Sequence, residues 1–194
     1  MNMAYDTNRV RRYHPHKVAL WLGMMSMVMF FAAFTSAFIV RRDGDSSFWR
    51  DFEVPTPFFV STALILAGSL ALHAALVAFR KEHANEYRGF LFLALFFGIG
   101  FTVSQYMGWQ YLNQSEVKLQ HGGPAESFFY LITYLHFAHV LGGLAATGLA
   151  FAQSVWLPFR FTEKRALRLE LTATYWHFVD FLWIYLFVFL LTQG

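Results

Sequence analysis

Six residues could do chemistry inside otherwise apolar stretches of this sequence. His136 and His139 stand three apart, as do His177 and Asp180, so on a helix each pair shares a face. His73 and Gln105 lie alone in two other stretches. Three chemistries use such residues. Haem or metal ligation needs histidines converging from facing helices. Proton relay needs an unbroken chain of titratable groups. Hydrogen bonding between helices needs only a neighbour. The relay is disfavoured, because the first and third apolar stretches carry no carboxylate. Ligation would use His136, His139 and His177, as in a di-haem membrane protein, and a small transporter is a further alternative. Interhelical bonding asks least of these residues and is the preferred reading.

The elements that must position these residues follow from composition. Of the 194 residues, 57% are hydrophobic and 14% charged, against about 25% charged in an ordinary soluble domain. Twenty-four phenylalanines bring aromatics to 20%. Disorder, a collagen-like chain and an ordinary soluble enzyme are excluded. The absence of cysteine removes disulfides, iron–sulfur clusters, thiolate zinc or copper, and c-type haem attachment.

Five apolar runs, at about 18–40, 58–79, 89–112, 128–157 and 171–192, each reach the ~20 residues a helix needs to cross the bilayer. The first is too long for a signal-peptide core and has no small-residue cleavage site after it. Backbone groups in lipid must bond internally, so the predicted fold is all-α: one membrane domain, a bundle of five transmembrane helices. The connections are short, and no internal repeat argues for a repeat-built transporter.

Positive charge predicts the orientation. Arg9, Arg11, Arg12 and Lys17 precede the first run. Arg80, Lys81 and Arg88 follow the second, and Arg160, Lys164, Arg165 and Arg168 follow the fourth. The opposite side carries only Arg41, Arg42, Arg50 and Lys118, against Asp43, Asp45, Asp51, Glu53, Glu116 and Glu126. The N-terminus is expected in the cytoplasm and the C-terminus outside. The basic clusters are topology signals that touch anionic lipid, not a nucleic-acid site.

Counting ~1.5 Å per residue from the run ends puts His139 and Asp180 at similar depth. Asp180 is therefore expected to meet a histidine of the fourth run, preferably His139 over His136, with Gly142 and Gly143 letting the helices approach. Gly98, Gly100 and Gly108 offer a further close contact. Trp49, Trp109, Tyr111 and Trp156 fall near run ends, where amphipathic rings belong. Trp176 and Trp183 fall inside and need partners for their indole N–H groups.

The string Tyr175-Trp176-His177-Phe178-Val179-Asp180, followed by Trp183, resembles subunit III of the haem-copper respiratory oxidases. So does the segment Leu135 to Gly143, with its paired histidines and trailing glycines. Weaker matches are Pro57 with Ser61-Thr62, Phe101-Thr102 with Gln105 and Trp109, and the pattern from Leu20 to Phe31. The resemblance runs from His14 to Thr192 and fits the family's five-helix form, which lacks the first two helices of seven-helix members. It implies a non-catalytic third subunit of a proton-pumping cytochrome c oxidase in a bacterial inner membrane. The implied partners are subunits I and II, which hold the haems and copper, and membrane phospholipids. Cytochrome c would meet the complex through other subunits, and this chain would carry no cofactor of its own. A quinol oxidase subunit III and an accessory subunit of a nitric oxide reductase are the alternatives. Two positions depart from the family: Met27 and Gly108 stand where it usually carries carboxylates. A packing role is thereby favoured over proton binding.

Overall fold

The computed structural model describes residues 15–44, 55–114 and 124–193. The charges at Arg9, Arg11, Arg12, Asp45, Arg50, Asp51, Glu53, Glu116 and Lys118, and Trp49, lie outside them. The described chain forms five helices: α1 (Pro15–Gly44), α2 (Thr56–Arg80), α3 (Ala84–Gln114), α4 (Pro124–Trp156) and α5 (Glu163–Gln193). All five are long and apolar enough to cross a membrane.

The helices outrun the apolar stretches that betray them. Helix α5 begins at Glu163, eight residues before its apolar run. The polar turns Glu163–Glu170 remain helical because Lys, Arg, Leu and Glu are good helix formers with or without lipid around them. Helix α2 starts where Pro55 and Pro57 lack N–H groups that would have no partner in a first turn, and Phe58 N–H bonds the Pro55 carbonyl at 3.0 Å. It stops in a tight turn at Glu82, whose φ is +60°. His83 N–H there returns to the Ala78 carbonyl at 3.0 Å, satisfying an orphan acceptor at the helix end.

Helices α2, α3, α4 and α5 close into a ring in which each packs on its chain neighbour and α5 returns to α2, while α1 lies outside against α4 and α5. The α2–α3 contact is intimate because small residues line it. Ala71, Ala75 and Ala78 face Leu91 and Ala94 in one buried cluster, and a Cβ on Gly68 would lie 3.4 Å from Phe97 Cβ. Lipid supplies no hydrophobic drive between helices, so such close van der Waals contact must hold them. The other half of the ring is aromatic. Trp183, fully buried, stacks on Phe58 and Phe187 at 6.2 and 6.1 Å and meets the edge of Phe101 at 5.5 Å.

Helix α1 is held at three levels. Phe31 and Phe38 are buried, Phe31 among Ile132, Leu182 and Leu186. Thr35 Oγ1 and Tyr185 OH are hydrogen-bonded at 2.9 Å. At its start, Lys17 Nζ donates to Glu170 Oε1 at 2.8 Å, while Arg80 lies 3.8 Å from the other carboxylate oxygen.

Candidate functional site

The seam between α4 and α5 uses the first half of the aromatic string. Tyr175 OH donates to the backbone carbonyl of His139 at 3.0 Å. One turn further, His136 Nε2 donates to the Val179 carbonyl at 3.2 Å. The His136 ring lies 5.0 Å from Trp183 and 6.0 Å from Phe101. Trp183 Nε1–H reaches across to Thr62 Oγ1 on α2 at 2.9 Å. One helix thus ties itself to two others through donors that lipid would leave unsatisfied.

Trp176 enters a slot made by two glycines. A Cβ on Gly143 would stand 2.9 Å from its Cε3, and one on Gly98 would stand 3.0 Å from its Cη2 and 2.8 Å from Leu144 Cδ1. Gly143 therefore admits an indole ring rather than a neighbouring backbone, and Gly98 does the same from α3. Gly142 is exposed and leaves ordinary space beside Tyr175. The Trp176 indole N–H, expected to find a partner, has none among the described residues. Trp109, five residues before the end of α3, is buried and donates to Thr133 at 3.3 Å.

Asp180 does not hydrogen-bond to His139. The Tyr175–His139 and His136–Val179 bonds set the level of the two antiparallel helices. They place Asp180 beside position 136 or 135, about one turn from His139. Asp180 also faces the other way. It is buried with the Ser69 hydroxyl of α2 beside it. Ser69 Oγ is itself hydrogen-bonded to His177 Nδ1, and the His177 ring lies 5.9 Å from that of His73. Neither Asp180 oxygen has a hydrogen-bond partner within the described residues. Ser69, His73, His177 and Asp180 thus form a polar group on α2 and α5. Sequence reading missed Ser69, although its spacing of four from His73 puts hydroxyl and imidazole on one helix face.

The three histidines considered as ligands point into three different contacts. His136 faces the α5 backbone, His177 faces α2, and His139 bonds its own helix at Leu135 and lies edge-on to Phe31 of α1 at 5.9 Å. They do not converge. Among the described residues, no three of His, Cys, Asp and Glu are grouped to hold a metal ion.

Gln105 anchors the far end of the α2–α3 contact. Its Nε2 donates to Ser61 Oγ at 2.9 Å, Ser61 donates to the Phe58 carbonyl, and Ser104 donates to the Pro57 carbonyl. Gly108 admits the Phe58 ring: a Cβ there would stand 2.7 Å from Phe58 Cε2.

A sequence model described as "Cytochrome c oxidase subunit III" matches residues 5–194. A probable cytochrome c oxidase subunit 3 of Nocardia farcinica is 30% identical over 179 residues, covering 87% of this chain and 82% of that protein. The cytochrome c oxidase subunit 3 of Alkalihalophilus pseudofirmus is 25% identical over 211 residues, covering 98% and 97%. That of Mus musculus is 30% identical over 182 residues, covering 86% of this chain and 65% of the longer mouse protein.

Proposed function

This chain belongs to the cytochrome c oxidase subunit III family, and from that premise we propose that it is the non-catalytic third subunit of a proton-pumping cytochrome c oxidase in a bacterial inner membrane. The chain is a multi-pass subunit of a haem-copper oxidase, an oxidoreductase complex. The proposed role is support. The chain packs on subunit I, retains phospholipid beside it, and shields the proton-uptake entrance so that turnover lasts. Subunits I and II hold the haems and copper.

One observation carries this reading. The side chains of the family strings are spent on holding helices together. Tyr175 and His136 close the α4–α5 seam, Trp183 binds α2, and Trp176 fills the two-glycine slot. Where a carboxylate is usual in the family, Gly108 makes room for the Phe58 ring, which favours packing over proton binding.

The test is purification of the tagged chain in mild detergent, with an absorption spectrum and oxygen-uptake assays on the eluate. The expected result is co-purified large membrane subunits, haem absorption and uptake driven by cytochrome c. A complex lacking this chain should start at a comparable rate and lose activity within far fewer turnovers. Uptake driven by quinol and not by cytochrome c would move the chain to a quinol oxidase. Haem bound to the isolated chain would overturn the non-catalytic reading.

A further inference from the structure

The face of α2 that carries His73 does not suit lipid. Within the five apolar runs, His73 is the one exposed histidine, acid or base among the described residues. It stands seven residues before Arg80, roughly 10 Å inside the helix end at 1.5 Å per residue. Its neighbours on the same face are lipid-like: Leu66, Leu70 and Val77 are 42%, 74% and 37% exposed. An imidazole on a single methylene cannot reach the headgroups as a lysine does. A polar ring facing hydrocarbon without a partner is costly.

Other exposed helix faces show what lipid contact looks like in this chain. Leu22, Met25 and Met29 on α1, and Phe96, Ile99 and Val103 on α3, bring hydrocarbon and thioether to the surface, and the polar group among those on α1 is the small hydroxyl of Ser26, not an ionisable ring. The α2–α5 face differs in a second respect. Behind His73 lie the half-buried His177 and the buried Asp180, whose carboxyl has no hydrogen-bond partner in the described chain. The polar group thus reaches the outer surface through His73.

We propose that this face is a protein interface inside the membrane, covered by a transmembrane helix of another oxidase subunit that brings a hydroxyl, amide or carboxyl group to His73. The inference rests on the oxidase reading above and adds where a partner sits and what it must carry. The occupant is a helix rather than a lipid tail because only protein delivers a hydrogen-bonding group at that depth with its own backbone satisfied. Apolar contacts from Leu66, Leu70 and Val77 would frame that single polar contact, in the manner of helix pairs fixed by one hydrogen bond.

The test uses the whole complex. A photo-reactive benzoylphenylalanine is placed at Leu70 or Val77, the membranes are irradiated, and the complex is purified in mild detergent. The expected product is a discrete adduct between this chain and one large membrane subunit. In parallel, His73→Leu should lower retention of this chain in the purified complex about tenfold, whereas His73→Gln, which keeps a donor and an acceptor, should retain most of it. Melting of each isolated variant checks that the exposed substitution leaves the fold intact. If the complex purifies intact, both photo-probes yield only lipid adducts and His73→Leu is retained like the wild type, the interface is disproved while the oxidase reading stands. A wild-type chain that brings down no membrane partner would overturn the oxidase reading itself.

Discussion

A methyl group added at Gly108 would overlap the Phe58 ring, since its Cβ would lie 2.7 Å from Cε2 and 2.9 Å from Cζ. Phe58 is buried against Phe129 and Trp183 and has nowhere to retreat. Gly108→Ala should therefore cost about 1–3 kcal/mol, the usual range for overpacking a filled core. Phe58→Leu, which withdraws the ring edge, should recover part of that loss. The check is a double-mutant cycle on thermal melting in detergent, with a coupling above about 0.5 kcal/mol expected for residues in contact. Simple additivity would show that the two positions do not share the space. The two core tryptophans make a second contrast. The Trp176 indole N–H has no partner among the described residues, whereas Trp183 donates to Thr62. Replacement by Phe removes a similar volume from each, but only at position 183 does it also remove a hydrogen bond. Trp183→Phe should thus be the more destabilising by roughly 1 kcal/mol, and equal melting shifts would contradict the assignment of that bond.

At the scale of elements, α1 is the helix whose attachment can be taken apart. Its ion pair is the visible tie but the weaker one. Lys17 and Glu170 are 40% and 37% exposed, so water screens them, and an exposed pair of this kind is worth at most about 1 kcal/mol. Phe31 is fully buried among α4 and α5 side chains, and truncating such a ring costs about 3–5 kcal/mol. Phe31→Ala should accordingly loosen α1, seen as faster proteolysis or amide exchange over 15–44, while Glu170→Gln should change little and less still at high salt. The reverse ranking would mean that charge, not packing, seats this helix. The existence of α1 and its four companions was legible in the sequence, because an apolar run of twenty residues has few other uses. Their ends were not legible. Glu163–Glu170 is helical by propensity and lies beyond anything hydropathy can mark. Nor could spacing say which neighbour Asp180 faces. A three-residue interval puts His177 and Asp180 on one side of α5, but only the ring order α2–α3–α4–α5 turns that side toward Ser69. The glycines were visible as sites of close contact, and their guests Trp176 and Phe58 were not, because a slot is made by two helices and one sequence position records only half of it.

For the whole molecule, the charge distribution makes a claim that cysteine chemistry can test cleanly, since the chain has no cysteine of its own. Eleven lysines and arginines flank one set of helix ends and four flank the other, so the basic ends should remain in the cytoplasm. The helices alternate in direction, which puts the α2–α3 turn at Lys81 on that side and the end of α3 at Gln114 on the opposite side. Both positions are exposed. A membrane-impermeant maleimide applied to intact spheroplasts should label Gln114→Cys and spare Lys81→Cys until the membrane is opened. Labelling of Lys81→Cys alone in sealed cells would invert the molecule. It would then place Lys17, Arg80 and Glu170 at the outer surface, where the anionic cytoplasmic leaflet could not attract the cations. The same result would move His73 from the cytoplasmic half of the bilayer to the outer half, and with it the depth at which a partner helix must offer its hydrogen-bonding group. Orientation therefore bears on more than topology: it decides which half of the membrane holds the polar group of α2 and α5, and so which half of a neighbouring subunit must be complementary to it.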